Sequence, residues 1–528
     1  MKRLVVSDLR LSPYDPPEKL TALLYREGVR CTPDDYSIIR KSLDARDKSA
    51  IRYIYSVAFK PDFRSFGRLG RKCSFAEIRS YQEPEYGLRE AAGRHVVIGA
   101  GPAGLFAGLM LARCGYRPLI IERGRQVEQR ALDVDKFWQS GRPDPDSNVC
   151  FGEGGAGTFS DGKLTTGVRD EAGREAFILQ TFADMGADPS VTYWHKPHIG
   201  TDVLRRVVRN LREEIIRLGG EFAFETKLTD IKSGASGPEL TLRSPEGEKN
   251  IDACSVILAI GHSARDTYEM LLNRGAAMQP KDFAVGVRIE HPQDMIQQSQ
   301  YGCVDYEHFP VADYRLSARC GDGRGIYSFC MCPGGQVVDS STEEGGICIN
   351  GMSRSLRDGR NANSAMIVTV RTSDFGDESP LSGVVWQRAL EQKAFRMGGG
   401  AIPLQLYGDF CRGAVSDAFG DVESDICGRW SFGRVDGIFG GELSADIAEG
   451  IRIFGRRIGG FDRADAVLTG VEGRTSSPLR ILRGDDYESN IKGLFPCGEG
   501  AGYAGGITSA AMDGMRVAEE IIRRYRPC

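Results

Sequence analysis

His95 to Glu122 reads HVVIGAGPAGLFAGLMLARCGYRPLIIE, and every part of a dinucleotide-binding β-α-β unit stands in it in the required order. Val96, Val97 and Ile98 form a short apolar run suited to a strand buried on both faces. Gly99-Ala100-Gly101-Pro102-Ala103-Gly104 follows without a break, so a GxGxxG turn opens directly into a helix. Gly99 allows the tight turn, Gly101 lets the backbone approach a pyrophosphate, and Gly104 lets the helix sit close to the strand. Leu105, Leu109 and Ala112 recur at helical spacing, with Gly115 at the helix end. The free amides of the first turn would therefore face an anion. A second strand, Pro118 to Ile121, delivers Glu122 at the distance at which an acid accepts hydrogen bonds from an adenosine ribose. A lone GxGxxG is equally an ordinary Gly-rich turn. Strand, helix, second strand and terminal acid together favour the nucleotide reading.

The chain has 528 residues, enough for two or three domains with a substantial core. A net charge of −4 calls for neither nucleic acid nor an anionic membrane surface. The first 94 residues are locally basic, with 19 Lys and Arg against 13 Asp and Glu, which reads as a solvated surface. No apolar run approaches the roughly 18 residues that span a bilayer, and Met1-Lys2-Arg3 leads into strand-like sequence. The 14 cysteines are scattered, without paired CxxC units for zinc or an iron–sulfur cluster. Both features predict a cytoplasmic protein.

Residues 1–90 precede the nucleotide unit and read as a small α+β module: strands at Arg3 to Leu11, Tyr36 to Leu43 and Ile51 to Phe59, and a helix from Pro16 to Glu27. The stretch from Ser65 to Gly93 contains a connector. Residues 91–275 form the first part of a Rossmann-like domain. Asn148 to Leu164, NVCFGEGGAGTFSDGKL, is too rich in glycine for a helix or strand and is a loop able to lie against a flat or charged ligand. Thr201 to Leu218 is an amphipathic helix. Short strands then run to Lys249–Ile251, and Val256 to Gly261 returns as a separate buried strand that brings Gly261, His262 and Ser263 to the ligand side of the sheet.

Residues 276–470 change character and read as an inserted substrate or cap domain of mixed α+β type, with strands at Ala284 to Ile289, Gly325 to Cys330 and Ala365 to Val370. Its interface with the nucleotide domain would form a cleft. Residues 471–528 complete the nucleotide domain. There GLFPCGEGAGYAGGITSA (Gly493 to Ala510) is a buried strand, a Gly-rich turn and the start of a helix that runs to about Tyr525.

The segments GAGPAG, FGEGGAGTFSDGKL, LAIGHSARDT, YSFCMCPGG and GEGAGYAGGITSAAMDGMRVAE together resemble the FAD-dependent dehydrogenases described as NAD(FAD)-utilising, from about residue 90 to the end. SLDARDKSAIRYIYSV resembles that family's leading module. At the superfamily level the chain is similar to the glutathione-reductase-type flavoproteins, including the geranylgeranyl reductases. The resemblance implies extended FAD, with Gly99, Gly101, Pro102, Ala103, Gly104 and Glu122 at the adenosine end and Gly505, Gly506, Ile507 and Thr508 at the flavin end. Gly498 and Glu499 would lie near the ribityl chain or pyrophosphate. Outside the Gly-rich segments already quoted no further GxGxxG stands for a nicotinamide, and no redox CxxxxC is present, so NAD(P)H, if it is the reductant, would bind transiently.

Several further residues are candidates with an ordinary alternative beside each. Arg123 and Arg130 suit adenine or phosphate, as they suit a surface helix. Gly154, Gly155, Thr158, Ser160, Asp161 and Lys163 suit the cofactor's face, although Asp161 and Lys163 equally make a solvated pair. His262 and Arg265 suit flavin or substrate, and a turn histidine accounts equally for the first. Cys330 and Cys332 are a redox pair or, the preferred reading, buried structural thiols, because a CxC disulfide is strained. For Arg288, Glu290 and His291 the strand-exposed reading is preferred.

The expected function is hydride transfer between FAD and a small organic substrate. Flavin monooxygenase or geranylgeranyl-type reductase chemistry is the first alternative. The second is a flavin-binding sensor or scaffold that recruits a protein partner through residues 1–90.

Overall fold

The computed structural model describes residues 2–78, 80–234 and 237–527. Its first strand, β1 (Lys2–Leu11), turns Leu4, Val6, Leu9 and Leu11 inward. It joins β2 (Tyr36–Asp44), β3 (Arg52–Phe59) and β4 (Cys73–Glu77) in an antiparallel sheet of order β2-β3-β1-β4. Helix Lys19–Arg26 lays Leu20 and Leu24 against it. Strand β4 lies inside the stretch read as a connector. It pairs with β1 from Lys2↔Glu77 to Val6↔Cys73 but buries none of its residues fully, so it carries little hydrophobic signal. The module docks through the Lys41 and His195 amides, which donate to Tyr193 and Lys41 carbonyls at 2.8 Å. The Lys41 ammonium lies over the Tyr53 and Trp194 rings at 4.4 and 5.0 Å.

The second layer contains β5 (Arg94–Ile98), β6 (Leu119–Ile121), β7 (Glu221–Ala223), β8 (Lys227–Ser233), β9 (Pro238–Ser244) and β10 (Gly247–Leu258). β7-β6-β5-β10 pair in parallel, and β8 and β9 extend the sheet antiparallel. The sequence suggested two strands where β10 is one. Its polar first half, Gly247–Asp252, pairs with β9, and its apolar second half enters the buried parallel sheet beside β5. The change of environment halfway along one strand imitates a boundary. Helices Pro102–Arg113, Thr201–Arg217 and Ile507–Arg524 share one core on one face; every residue from Ala103 to Ala112 is buried.

The cap comprises β11 (Met278–Pro280), β12 (Phe283–Pro292), β13 (Ser317–Arg319), β14 (Gly325–Cys332), β15 (Gly335–Asp339), β16 (Ile349–Ser353), β17 (Asn361–Val370), β18 (Ile402–Leu406), β19 (Ile426–Cys427), β20 (Trp430–Phe432), β21 (Val467–Glu472) and β22 (Leu479–Ile481). Seven of these form a sheet of order β13-β14-β17-β12-β21-β18-β20, a second sheet has order β16-β15-β19, and β11 pairs with β22. Helices Ser382–Met397 and Gly441–Gly455, which the strand signals did not announce, bury Val384, Leu390, Ile447, Ile451 and Phe454. The chain then returns as β23 (Leu494–Pro496), parallel to β10. No helix among the described residues is long and apolar enough to cross a membrane.

Candidate active site

Strands β5, β6 and β10 all end on one cavity of about 1090 Å³, and the strand β14 of the cap forms its opposite wall. This is where a parallel sheet presents a ligand with the carboxyl ends of its strands. Two helix N-termini border it, Pro102–Arg113 behind Gly101 and Ile507–Arg524 behind Gly506. Their unpaired first-turn amides give two separate positive ends in one space.

At the first end Gly99 takes φ +102°, and a Cβ there would run into the Ala259 carbonyl of the neighbouring strand end. Glu122 lines the cavity, and its carboxylate accepts the amides of Ala100 at 2.8 Å, Gly152 at 2.9 Å and Gly124 at 3.0 Å. It therefore ties the GxGxxG turn to the Gly-rich loop and keeps about one acceptor position for a ligand. Gly101 and Gly155 face each other with only 3.8 Å between a Cβ on the first and the Cα of the second. Arg123 lies on the wall, over the Phe151 ring at 4.4 Å, and donates to Asp266 and Thr267 at 3.0 Å.

Arg130 is different. It is fully buried away from the cavity, and its guanidinium donates to the carbonyls of Asn148, Val149, Gly152 and Glu153. The expectation of a cofactor contact is corrected: Arg130 holds the loop's backbone from behind. Gly104, Gly154, Thr158, Gly498 and Thr508 likewise lie off the wall. The Thr508 hydroxyl donates to Leu164 O at 2.7 Å, joining the second helix to the same loop.

At the other end Gly261, His262, Ser263, Glu499, Gly505, Gly506 and Ile507 converge. His262 Nδ1 is 3.8 Å from Glu499 Oε1. Burial, then the nearby Arg474 and Arg265, push the His262 ring down to about 4, so it is neutral near pH 7. Burial pushes the Glu499 carboxyl up to about 7, partly offset by Lys281. Behind them Glu391 is clamped by two guanidiniums: Arg265 donates at 2.7 and 2.9 Å, Arg474 at 2.7 and 2.8 Å.

The cap wall carries both cysteines. A bulge between Phe329 and Cys332 breaks the pairing of β14 with β17, and Cys330 there takes φ +42°, a left-handed conformation that a non-glycine residue adopts at some cost. Cys330 is exposed and Cys332 buried, both line the cavity, and both are free thiols. The reading of two buried thiols is thus half corrected. Burial raises the Cys332 thiol, although Arg288 opposes the shift, so Cys332 is not a thiolate near neutral pH.

Arg288 itself is completely buried, with Nε donating to Glu472 at 2.9 Å and NH1 to Asn363 at 2.6 Å and to the Cys330 carbonyl at 3.1 Å. Glu290 and His291 are buried too. Glu290 accepts from Ser424, Asp425 and Asn361, and His291 hydrogen-bonds the Phe461 carbonyl at 2.7 Å. The strand-exposed reading of all three is overturned, because β12 runs between β17 and β21 in the middle of the sheet.

Ser160, Asp161 and Lys163 line the wall as well, and Asp161 is no solvated pair. It accepts from Lys163 at 2.8 Å, from Arg357 at 2.5 and 3.0 Å and from Ser353, and these cations hold its carboxyl far below the usual range.

These residues fit a bound FAD. Gly101 and Gly155 leave a cradle that a side chain would fill, and a Cβ at Gly505 would meet only open space. The buried Ser263 hydroxyl, on the wall, has no hydrogen-bond partner among the described residues. Sequence reading missed the Arg265–Glu391–Arg474 and Arg288–Glu472 groups. A buried-strand context around Arg288, in AVGVRIE, was the one available signal.

A protein of Clostridium beijerinckii described as an uncharacterized protein is 47% identical over 497 residues, 92% of each chain. Residues 282–475, which include most of the cap's strands, match a family model described as FAD-dependent protein, C-terminal domain-like. Among solved structures, a triple mutant of the flavin-dependent brominase Bmp2 aligns at 12% identity over 80% of this chain and 78% of that one, with a TM-score of 0.37. A geranylgeranyl bacteriochlorophyll reductase-like protein from Thermoplasma acidophilum aligns at 14% identity over 81% and 77%, with a TM-score of 0.35. Glycine oxidase from Geobacillus kaustophilus aligns at 10% over 81% and 92%, with a TM-score of 0.30.

Proposed function

The chain belongs to the family of the 47%-identical Clostridium beijerinckii protein, and from that premise we propose that it is a FAD-dependent oxidoreductase acting on a small organic substrate held beneath the cap. The observation that carries this reading is the single cavity that touches both helix N-termini and passes under β14. FAD, when bound, supplies hydride acceptance and donation at its flavin ring. This chain's own residues do the rest by position. Gly99 to Ala103 and the helix behind them would hold the pyrophosphate, with Gly155 clearing the facing loop. Gly505, Gly506 and Ile507 would lie against the pyrimidine side, where helix amides stabilise negative charge.

The Glu499 carboxyl, raised towards neutral pH by burial, is suited to pass a proton at the far end, and neutral His262 can accept or donate beside it. The Cys330 thiol faces the same space. NAD(P)H is the reductant of this reading, entering the cavity in turn with the substrate. The test is direct. Purified protein should carry about one FAD per chain, released on denaturation, and anaerobic NADH or NADPH should bleach its visible band. Colourless protein that takes up no added FAD would end the proposal; bound flavin that neither nucleotide reduces would end the choice of reductant alone.

A further inference from the structure

Away from the cavity, the turn between β13 and β14 presses Cys320 onto helix Gly441–Gly455. Cys320 Sγ, a carboxylate oxygen of Asp446 and one of Glu449 lie within 4.8 Å of one another. Asp446 and Glu449 stand three residues apart and so share one face of the helix. The turn is fixed by its own backbone: the Cys320 amide donates to Arg324 O and the Gly323 amide to Cys320 O, each at 2.9 Å.

The charges at this place do not balance. Asp322, Asp446 and Glu449 surround the thiol, and Arg324 is the one arginine or lysine paired with any of them among the described residues. Arg324 is itself committed to Asp374 at 2.7 Å and Asp322 at 3.2 Å, and its Nε comes no nearer than 3.9 Å to Asp446. Among the described residues Glu449 receives only the Gly321 amide, at 3.0 Å. The independent observation is Asp446 itself. It is 6% exposed and beside the Cys320 thiol, and its Oδ2, 3.9 Å from Arg324 Nε, has no hydrogen-bond donor among the described residues. A buried carboxylate oxygen left without a donor is costly, and a cation would satisfy it.

We propose that Cys320, Asp446 and Glu449 bind a zinc-class divalent cation that staples the β13–β14 hairpin to helix Gly441–Gly455. Sulfur selects a borderline d-block ion over magnesium or calcium, which take oxygen donors. The thiol proton leaves to solvent as the thiolate binds. Tetrahedral zinc brings its donors to about 3.5 Å of one another; partly exposed Glu449 supplies the movement, and water fills the fourth position. The staple lies next to the site without belonging to it, because Ser317, Ala318, Arg319 and Gly325 continue the same hairpin into the cavity wall.

The experiment uses the full chain with its native flavin content, stripped with EDTA, dialysed and titrated with zinc chloride against a chromophoric chelator. Wild type should take up about one tight zinc per chain and melt at higher temperature with it. Cys320→Ser, Asp446→Asn and Glu449→Gln should each weaken binding by more than about tenfold, and cobalt in place of zinc should show a thiolate charge-transfer band that Cys320→Ser removes. Glu449→Gln, on the more exposed ligand, decides the matter if the buried variants misfold. No tight zinc in wild type, or undiminished binding by Glu449→Gln or by a folded Cys320→Ser, overturns the proposal, because other cysteines would then hold the metal.

Discussion

Glu391 makes four charge-assisted hydrogen bonds at once: each oxygen accepts one N–H from Arg265 and one from Arg474. All three side chains are at most 4% exposed, so none has water to fall back on. Taking the charge off Glu391 would leave two guanidiniums facing each other in a poorly solvated place. Glu391→Gln should therefore destabilise the protein by about 3–5 kcal/mol in urea unfolding. Glu214→Gln, which breaks the solvent-exposed pair with Arg217, should leave the midpoint unchanged. Equal stability of the two variants would mean that the buried group is not the lock it looks. Nothing local in the sequence marks this group, since Glu391 is 126 positions from Arg265 and 83 from Arg474.

At the scale of elements, what was legible is what carries its own backbone instruction. The GxGxxG turn, the dense glycines from Gly152 to Gly162 and the Gly505-Gly506 turn each dictate a local conformation, and all three border the cavity. Strand β4, the halfway change of environment in β10 and the cap helices are set by partners far along the chain. Gly505 turns this into a test. A Cβ there would meet no protein atom within 4 Å, on the wall of the cavity. Gly505→Val should melt like wild type when both lack FAD, yet bind FAD at least about tenfold more weakly, a difference of about 1.4 kcal/mol. Gly441→Val, at an equally open helix start away from the cavity, should bind normally. Undiminished FAD affinity in Gly505→Val would remove that turn from the site.

Across the whole molecule the layers are joined by ionised groups, so stability should depend on pH in two opposed ways. Asp161 and Asp266, held by cations, titrate below their ordinary values, as does Glu391. Their contributions are complete above the unfolded values near pH 4 and are lost as pH falls further. Burial acts oppositely on Glu153 and Glu499, each raised to about 7, and on Asp339, raised to about 6. For these the folded form holds its proton longer than the unfolded one, so their contributions are full below about pH 4 and disappear as pH rises through 6 to 7. That decline is opposed by His95, His198, His262 and His291, each pushed by burial down to about 4, whose contributions are full above the unfolded value near 6.5 and are lost as pH falls. The melting temperature should therefore drop steeply only below about pH 4.

Asp339 isolates one component of the decline at higher pH. Within β15 it is 3% exposed and, among the described residues, accepts only from the Ser341 amide at 3.0 Å and hydroxyl at 2.6 Å, with no cation beside it. Asp339→Asn loses some hydrogen bonding at every pH but has no charge to bury. Its stability relative to wild type should improve by about 2–3 kcal/mol between pH 4 and pH 8. Denaturant titrations at several pH values read that difference directly; parallel curves for the two proteins would show that Asp339 ionises in the fold as freely as in the open chain.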